Sequence, residues 1–294
     1  MMATDARRGS GTEPRWLRLP RPSEMFERRA ARLAMLSRRH VAGDWLAALA
    51  ALCGAQLIAA QTAPAALAGR TPRAPLHPAE WRRGEEWRTA LATILERMRS
   101  ISLPAPAREA VSFLEVATPG ELESLAGPLL GSQGAPPDGA AAVFLAAALQ
   151  VYFASIASQV PPGQVERSSR TCPVCDSPPV AGILREERVR YLSCSLCATE
   201  WHMVRGQCAI CTRTAGVSYF AIEDADGIRA EACTDCRTYL KLSCQENVPA
   251  AEPLADDAAS LALDLLMSHE GYSRGGVNLL VTPGALSSSR HACE

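Results

Sequence analysis

Apolar residues recur at helical spacing through roughly the first 160 positions of the chain, and polar residues fall between them. From Ser23 to Arg39, Phe26, Ala30 and Leu33 share a face, Arg28, Arg32 and Arg39 lie off it, and Glu24 and Glu27 occupy the first turn, where the helix dipole favours them. A second helix is predicted from Asp44 as N-cap, with Trp45, Leu49, Leu52 and Gln56 at helical spacing. Prolines at 64, 72, 75 and 78 then force a break. Pro78 suits the first turn of a third helix, in which Trp87, Leu91, Ile94 and Met98 form a stripe read as core. Further helices are predicted at Ala107 to Ala117, Gly120 to Leu130 and Gly139 to Gln159. Two uncharged stretches, Trp45 to Gly69 and Gly139 to Val160, approach the length of a membrane span. Both are rich in alanine and carry glutamines, however, so buried helices of a soluble bundle fit them better than a span.

The pattern changes at Pro161, Pro162 and Gly163. Between Thr171 and Cys244, cysteines, β-branched residues and turn signals replace alanine. Val180 to Leu184 and Arg188 to Ser193 flank a charged turn, and Val217 to Ile222 and Ile228 to Ala232 flank Asp224 to Gly227; each pair reads as a β-hairpin. One last helix follows, with Leu254, Ala258, Leu261 and Leu265 on a face and Asp256 and Asp257 near its start. The segment from Gly271 onward reads as loop and tail.

Composition adds that 48% of residues are apolar and 21% charged, as in ordinary globular proteins, and that the net charge of −1 creates no global field towards nucleic acid or anionic lipid. Lys241 is the only lysine in the chain, which with the high alanine content reads as coding bias. Arginines gather near the start, at positions 7, 8, 15, 18, 21, 28, 29, 32, 38 and 39, and read as a disordered arm followed by a solvated helix face. The first twenty residues lack an apolar central region, so the chain is expected to stay in the cytoplasm.

Four C-x-x-C pairs carry the chemistry: Cys172/Cys175, Cys194/Cys197, Cys208/Cys211 and Cys233/Cys236. Two cysteines at this spacing form a knuckle that points both sulfurs at one metal, and two knuckles complete a tetrahedral four-sulfur site. Eighteen residues separate the first two pairs and twenty-one the last two, and a hairpin lies in each gap. The segment is thus a tandem repeat of knuckle, hairpin and knuckle. Sequential pairing is favoured, with Cys172, Cys175, Cys194 and Cys197 in one site and Cys208, Cys211, Cys233 and Cys236 in the other; a cross-brace is the alternative. Disulfides compete weakly, because cytosolic thiols stay reduced. Such ligands suit zinc or a single iron. Cys53, Cys244 and Cys293 read as ordinary thiols, and His202 as a neighbour of the sites rather than a ligand. No phosphate-binding glycine loop, serine nucleophile elbow or paired-histidine helix occurs, so no enzyme activity is expected.

These residues resemble the formate dehydrogenase accessory proteins, the FdhE family, from about residue 14 to about residue 280. The likeness is carried by CPVCDSPPVAG at 172 to 182, YLSCSLCATEWHMVRGQC at 191 to 208, CTDCRTYLK at 233 to 241, LALDLLMSHEGYSRGGVN at 261 to 278 and PSEMFERRAARLAML at 22 to 36. The resemblance implies a multidomain α and β protein: a large all-α amino-terminal domain, two tandem rubredoxin-like, zinc-ribbon-like metal domains and a C-terminal helix. The expected divisions are a basic tail at 1–20, helices at 21–165, metal domains at 166–205 and 206–246, and a helix with tail at 247–294. It also implies two mononuclear metal ions in four-cysteine sites, with iron the metal associated with the family, and a cytoplasmic role in maturing respiratory formate dehydrogenase by binding its catalytic subunit before export. A redox-active iron protein or sensor is the alternative. Nucleic-acid binding ranks last, because arginines 185, 188, 190, 205, 213, 229 and 237 are interspersed with acidic residues.

Overall fold

The computed structural model describes residues 14–62, 74–137, 139–168, 170–222 and 227–281. Arg7, Arg8, Pro64, Pro72, the turn residues Asp224 to Asp226, the stretch from residue 282 and Cys293 therefore lie outside the described residues. Six helices come first: α1 (Pro22–Ser37), α2 (Gly43–Thr62), α3 (Glu86–Arg99), α4 (Ala105–Val116), α5 (Pro119–Leu129) and α6 (Gly139–Ala157), preceded by a two-residue strand, β1 (Leu17–Arg18). Prolines at the first helical positions of α1 and α5 fit there because they lack only an N–H that would be unpaired anyway. Thr118 and Glu121 close α5 with a reciprocal capping box. Two boundaries differ from expectation. Asp44 lies inside the first turn of α2 rather than capping it, since Gly43 already begins the helix, and Pro78 sits in a turn eight residues before α3.

Helix α6 is the axis of this part. It shows almost no polar face because α2, α3, α4 and α5 surround it, and a helix enclosed on all sides needs none. By length and composition α2 and α6 could each cross a membrane; α6 is instead mostly buried within the protein. The stripe of Trp87, Leu91, Ile94 and Met98 is buried in the same core. Two buried amides cross it. Gln56 Nε2 donates to Gln150 Oε1 at 2.9 Å, and Gln150 Nε2 donates to the Ser195 carbonyl at 2.7 Å.

The arginine face of α1 is not wholly solvated. Arg28 is exposed, but Arg29 and Arg32 are buried, where Arg29 pairs with Glu252 at 2.9 Å and Arg32 with Asp256 at 2.6 Å. Their partners stand 223 and 224 residues away, so no local pattern could have shown them. Burial pushes the Asp256 carboxyl up to about 6 from 3.8, with the Arg32 charge opposing it. The folded state therefore holds that proton more tightly than the unfolded chain. Stability from this group is fullest in acid and declines as the pH rises through about 4 to 6. Relative to Asp256→Asn, the natural protein should lose about 1–2 kcal/mol of urea-unfolding stability between about pH 5 and 7.5. A difference that stays constant with pH would refute this.

The remaining strands are β2 (Pro179–Leu184), β3 (Arg190–Cys194), β4 (Glu200–His202), β5 (Val217–Phe220), β6 (Ile228–Cys233) and β7 (Thr238–Cys244), followed by α7 (Pro253–Ala258), α8 (Leu261–His269) and β8 (Ser273–Arg274). Both expected hairpins are present, as β2–β3 and β5–β6. Each gains a third strand after its second knuckle, β4 in the first unit and β7 in the second. The two units share one sheet, ordered β1-β4-β3-β2-β7-β6-β5, because β2 and β7 run parallel from Ala181↔Lys241 to Leu184↔Cys244.

The single final helix expected from the sequence is two short ones, and Leu265 is exposed rather than core. The break is held by Lys241. Its ammonium donates to the carbonyls of Asp257 (2.7 Å) and Ser260 (3.1 Å), capping the end of α7, and also to Asp264 Oδ2 (2.7 Å). After β8, Gly275 and Gly276 pass between the two cysteine-bearing units, Gly276 against Pro179 and Gly275 against Ile210 and Leu240. A Cβ on Gly276 would stand 2.0 Å from the Pro179 carbonyl oxygen, and one on Gly275 would meet Ile210. Gly276→Ala should therefore cost about 1–3 kcal/mol through overpacking, read as a lower thermal midpoint. An unchanged midpoint would show that the segment can shift freely.

Candidate metal centres

All four knuckles share one local geometry. The residue after the second cysteine, namely Asp176, Ala198, Thr212 or Arg237, takes a left-handed φ of +62°, +56°, +64° or +53°. That conformation turns the chain so that the first cysteine's N–H reaches a carbonyl five residues on: Cys172 to Ser177 at 2.8 Å, Cys194 to Thr199 at 3.0 Å and Cys208 to Arg213 at 2.8 Å. Cys233 stands opposite Thr238 in the β6–β7 ladder, the same offset. None of the four left-handed residues is glycine, so this shared turn left no mark in the sequence.

The loops gather the sulfurs into two clusters. Cys172, Cys175, Cys194 and Cys197 form one and Cys208, Cys211, Cys233 and Cys236 the other, with the sulfurs of each cluster all within 4.8 Å of one another. The grouping is sequential, and the cross-brace is not formed. Opposing sulfurs stand 3.5 Å (Cys172–Cys197) and 3.4 Å (Cys175–Cys194) apart in the first cluster, and 3.6 Å (Cys208–Cys236) and 3.7 Å (Cys211–Cys233) in the second. A tetrahedron with metal–sulfur bonds of about 2.3 Å has edges of about 3.8 Å, so either cluster could hold a metal ion with little adjustment.

The electrostatics agree with that fit. Burial pushes the Cys172 and Cys197 thiols well up, whereas at Cys194 hydrogen bonds from the neighbouring thiols outweigh burial and hold it low. Four buried thiolates cannot coexist without a cation, and a divalent ion removes the conflict. Each cluster also meets hydroxyls: Cys175 Sγ donates to Ser177 Oγ at 3.3 Å and Cys197 Sγ to Thr199 Oγ1 at 3.2 Å, and Cys236 Sγ lies 2.9 Å from Thr238 Oγ1. Backbone N–H groups of Ile210 and Cys211 point at Cys208 Sγ.

The clusters differ in setting. Each sulfur-bearing residue of the first is buried, and its two loops are tied to distant parts of the chain: Leu76 N–H donates to Val174 O at 2.8 Å, Gln150 to Ser195 O, and Leu279 N–H to Ser195 Oγ at 2.9 Å. In the second, Cys211 and Cys236 are partly exposed.

The other sequence candidates fall elsewhere. Cys53 is buried in α2, where desolvation pushes its thiol up to about 12 despite nearby Arg29. Cys244 packs with Leu184 and Leu242 in the sheet. His202 lies edge-on to Tyr191 in β4, its pKa lowered by burial and by Arg167. Several ribbon arginines are engaged internally. Arg185 pairs with Glu200 at 2.5 Å, Arg190 with Glu231, Arg188 with Glu246 and Arg213 with Asp235, and Arg229 and Arg237 cover the rings of Tyr219 and Tyr272. Sequence reasoning missed Ser195, the residue between Cys194 and Cys197 whose carbonyl accepts from Gln150 and so ties the first cluster to the helices.

Comparison with known proteins matches three family descriptions in succession: FdhE, N-terminal, over residues 14–170; FdhE, central domain, over 171–205; and FdhE, C-terminal domain, over 207–281. The chain is 36% identical over 272 residues to a protein named FdhE homolog of Actinobacillus pleuropneumoniae serotype 3, covering 87% of this chain and 89% of that one. It is 34% identical over 283 residues to the protein named FdhE of Escherichia coli O1:K1, covering 91% of each. The crystal structure of the FdhE protein from Pseudomonas aeruginosa superposes with a TM-score of 0.81 at 34% identity, covering 92% of this chain and all of that one.

Proposed function

We propose, since this chain belongs to the FdhE family, that it is an accessory factor for respiratory formate dehydrogenase which binds the immature catalytic subunit in the cytoplasm, before export. Cys172, Cys175, Cys194 and Cys197 hold one metal ion in this reading, and Cys208, Cys211, Cys233 and Cys236 hold the second. The single observation that carries it is the pair of four-sulfur clusters set in a chain that matches the family almost from end to end. The protein's own residues do the work of shape: they fix the knuckles, join the two ribbons through β2 and β7, and attach them to the helices. A bound thiolate-ligated ion supplies cross-linking free energy, and iron would add one-electron chemistry. No reaction is assigned to the protein. The working units are taken as 21–165, 166–205, 206–246 and 247–294, with 1–20 as a tail.

The direct test is recovery of the catalytic subunit with the tagged protein from anaerobically grown cells, together with loss of respiratory formate oxidation when the protein is removed. Failure to recover the subunit under any redox condition would overturn the proposal. A second reading, a redox-active iron protein acting during cofactor insertion, is favoured by the partial exposure of Cys211 and Cys236. Visible absorption that bleaches reversibly on reduction would support it, and stoichiometric colourless zinc in the natural host would remove it.

A further inference from the structure

We infer that the two metal sites are unequal in use: the second, formed by Cys208, Cys211, Cys233 and Cys236, exchanges its ion and meets soluble reagents, while the first is a permanent staple. The inference rests on the metal ligation proposed above and extends it to the separate roles of the two sites.

Three observations converge. Exposure is the first: Cys172, Cys175, Cys194 and Cys197 are at most 1% exposed, whereas Cys211 and Cys236 reach the surface in part. Membership of the core is the second. All four cysteines of the first site belong to the main hydrophobic cluster that also contains Trp87, Leu145 and Phe153 of the helices, and none of the second four does.

Anchorage is the third observation. To open, the first site must break the Leu76–Val174, Gln150–Ser195 and Leu279–Ser195 bonds, which run to the segment before α3, to α6 and to the last described stretch of the chain. The second site is bounded by β5, the outermost strand on its side of the sheet, whose four residues are all at least partly exposed. Its fourth knuckle is steadied by Thr234 N–H on the Gly216 carbonyl inside the same unit and by Arg237, which donates to the Glu270 and Gly271 carbonyls at the exposed end of α8 and accepts from Ser273 N–H. Its third is steadied by Arg170 on the Ile210 carbonyl at the surface and by Ala209, which packs in the main core, and none of these bonds runs to helices α1–α6. Peeling back β5 would therefore loosen the second site while the helices stay packed. Opening the first requires the helices to part. Sub-global openings of the former kind cost less free energy and occur far more often than global ones.

The ligands taken at the second site are soft divalent cations, such as zinc, iron(II) or cadmium, and the competitors are small chelators and thiol reagents that need a free sulfur edge. Metal removal from this site should leave the first site and the helical core intact.

The full-length protein loaded with zinc tests this. Zinc release to excess 4-(2-pyridylazo)resorcinol is followed by absorbance, N-ethylmaleimide labelling is mapped by peptide mass at intervals, and tryptophan emission is recorded alongside. The expected result is two phases of one zinc each, with rates differing at least about tenfold. Label should appear on Cys211 and Cys236 during the fast phase. Cys172, Cys175, Cys194 and Cys197 should stay unlabelled, and tryptophan emission unchanged, until the slow phase. Release of both zincs in one phase, or labelling of the first four cysteines ahead of the second, overturns the inference while leaving the ligation intact. Protein that takes up no zinc, iron(II) or cadmium overturns the ligation itself, and the inference falls with it.

Discussion

Cys194→Ser is expected to melt the helices and not merely the loop that carries it. With one sulfur of the first cluster removed, the metal ion proposed there could no longer cross-link the knuckles at 172–175 and 194–197, and the bonds from Gln150 and Leu279 to Ser195 would lose their fixed partner. Structural zinc contributes on the order of 10 kcal/mol to small metal-folded units, as much as the whole stability of a typical domain. Far-UV circular dichroism at 222 nm should therefore show the helical transition shifted down steeply or absent at 25 °C. Cys233→Ser, at the second site, should leave that transition within a few degrees of its natural position. Equal helical melting in Cys194→Ser and the natural protein would show that the first site does not brace the helices.

Asp257→Asn should be nearly as damaging by a different route. Asp257 is fully buried and receives Arg274 at 2.5 Å, Asn278 Nδ2 at 2.8 Å and the Lys241 ammonium at 3.3 Å. Burial alone would raise its pKa, but Lys241 and Arg274 outweigh burial and hold it below 3.8. With the folded value depressed, stability from this group is present above the unfolded pKa and is lost as the pH falls through the folded one. Neutralising it leaves Lys241, itself 1% exposed, with Asp264 as its one carboxylate partner among the described residues. Removing one partner of a buried pair costs about 3–5 kcal/mol. The guanidinium-chloride midpoint at pH 7 should fall accordingly, and the paired change Lys241→Met with Asp257→Leu should restore part of the loss. A shift under about 1 kcal/mol for Asp257→Asn would mean that water or Asp264 already screens the cluster.

What the sequence disclosed and what it hid follow from how local each signal was. Cysteine spacing and the residues flanking each hairpin located the four knuckles and favoured their sequential grouping over a cross-brace, because a knuckle and a hairpin are short-range objects, and the structure shows the sequential grouping. Stripes such as Trp87, Leu91, Ile94 and Met98 likewise located helices, though Pro78 suggested a start eight residues too early. Strand β7 escaped notice because its seven residues are all buried, between β2 and β6 in the sheet, so no alternation marks it. Arg29 and Arg32 looked solvated because charge next to an apolar stripe normally is. Nothing in a helix at residue 30 announces carboxylates at 252 and 256. Lys241 looked like a statistical leftover. Its position shows a chemical reason for retaining lysine, since a compact ammonium can meet three convergent oxygens where a planar guanidinium presents a fork.

The pairing of α1 with α7 also sets an order of events during synthesis. Arg29 and Arg32 leave the ribosome early, but Glu252 and Asp256 emerge more than 220 residues later. Until then the first helix carries two cations that have no carboxylate to enter the interior with, and the β2 edge waits for β7 in the same way. Vectorial, piece-by-piece folding of the amino-terminal half is therefore held incomplete by the topology, and nascent chains ending before residue 252 hold an unfinished core. Closure of the whole protein coincides with delivery of α7.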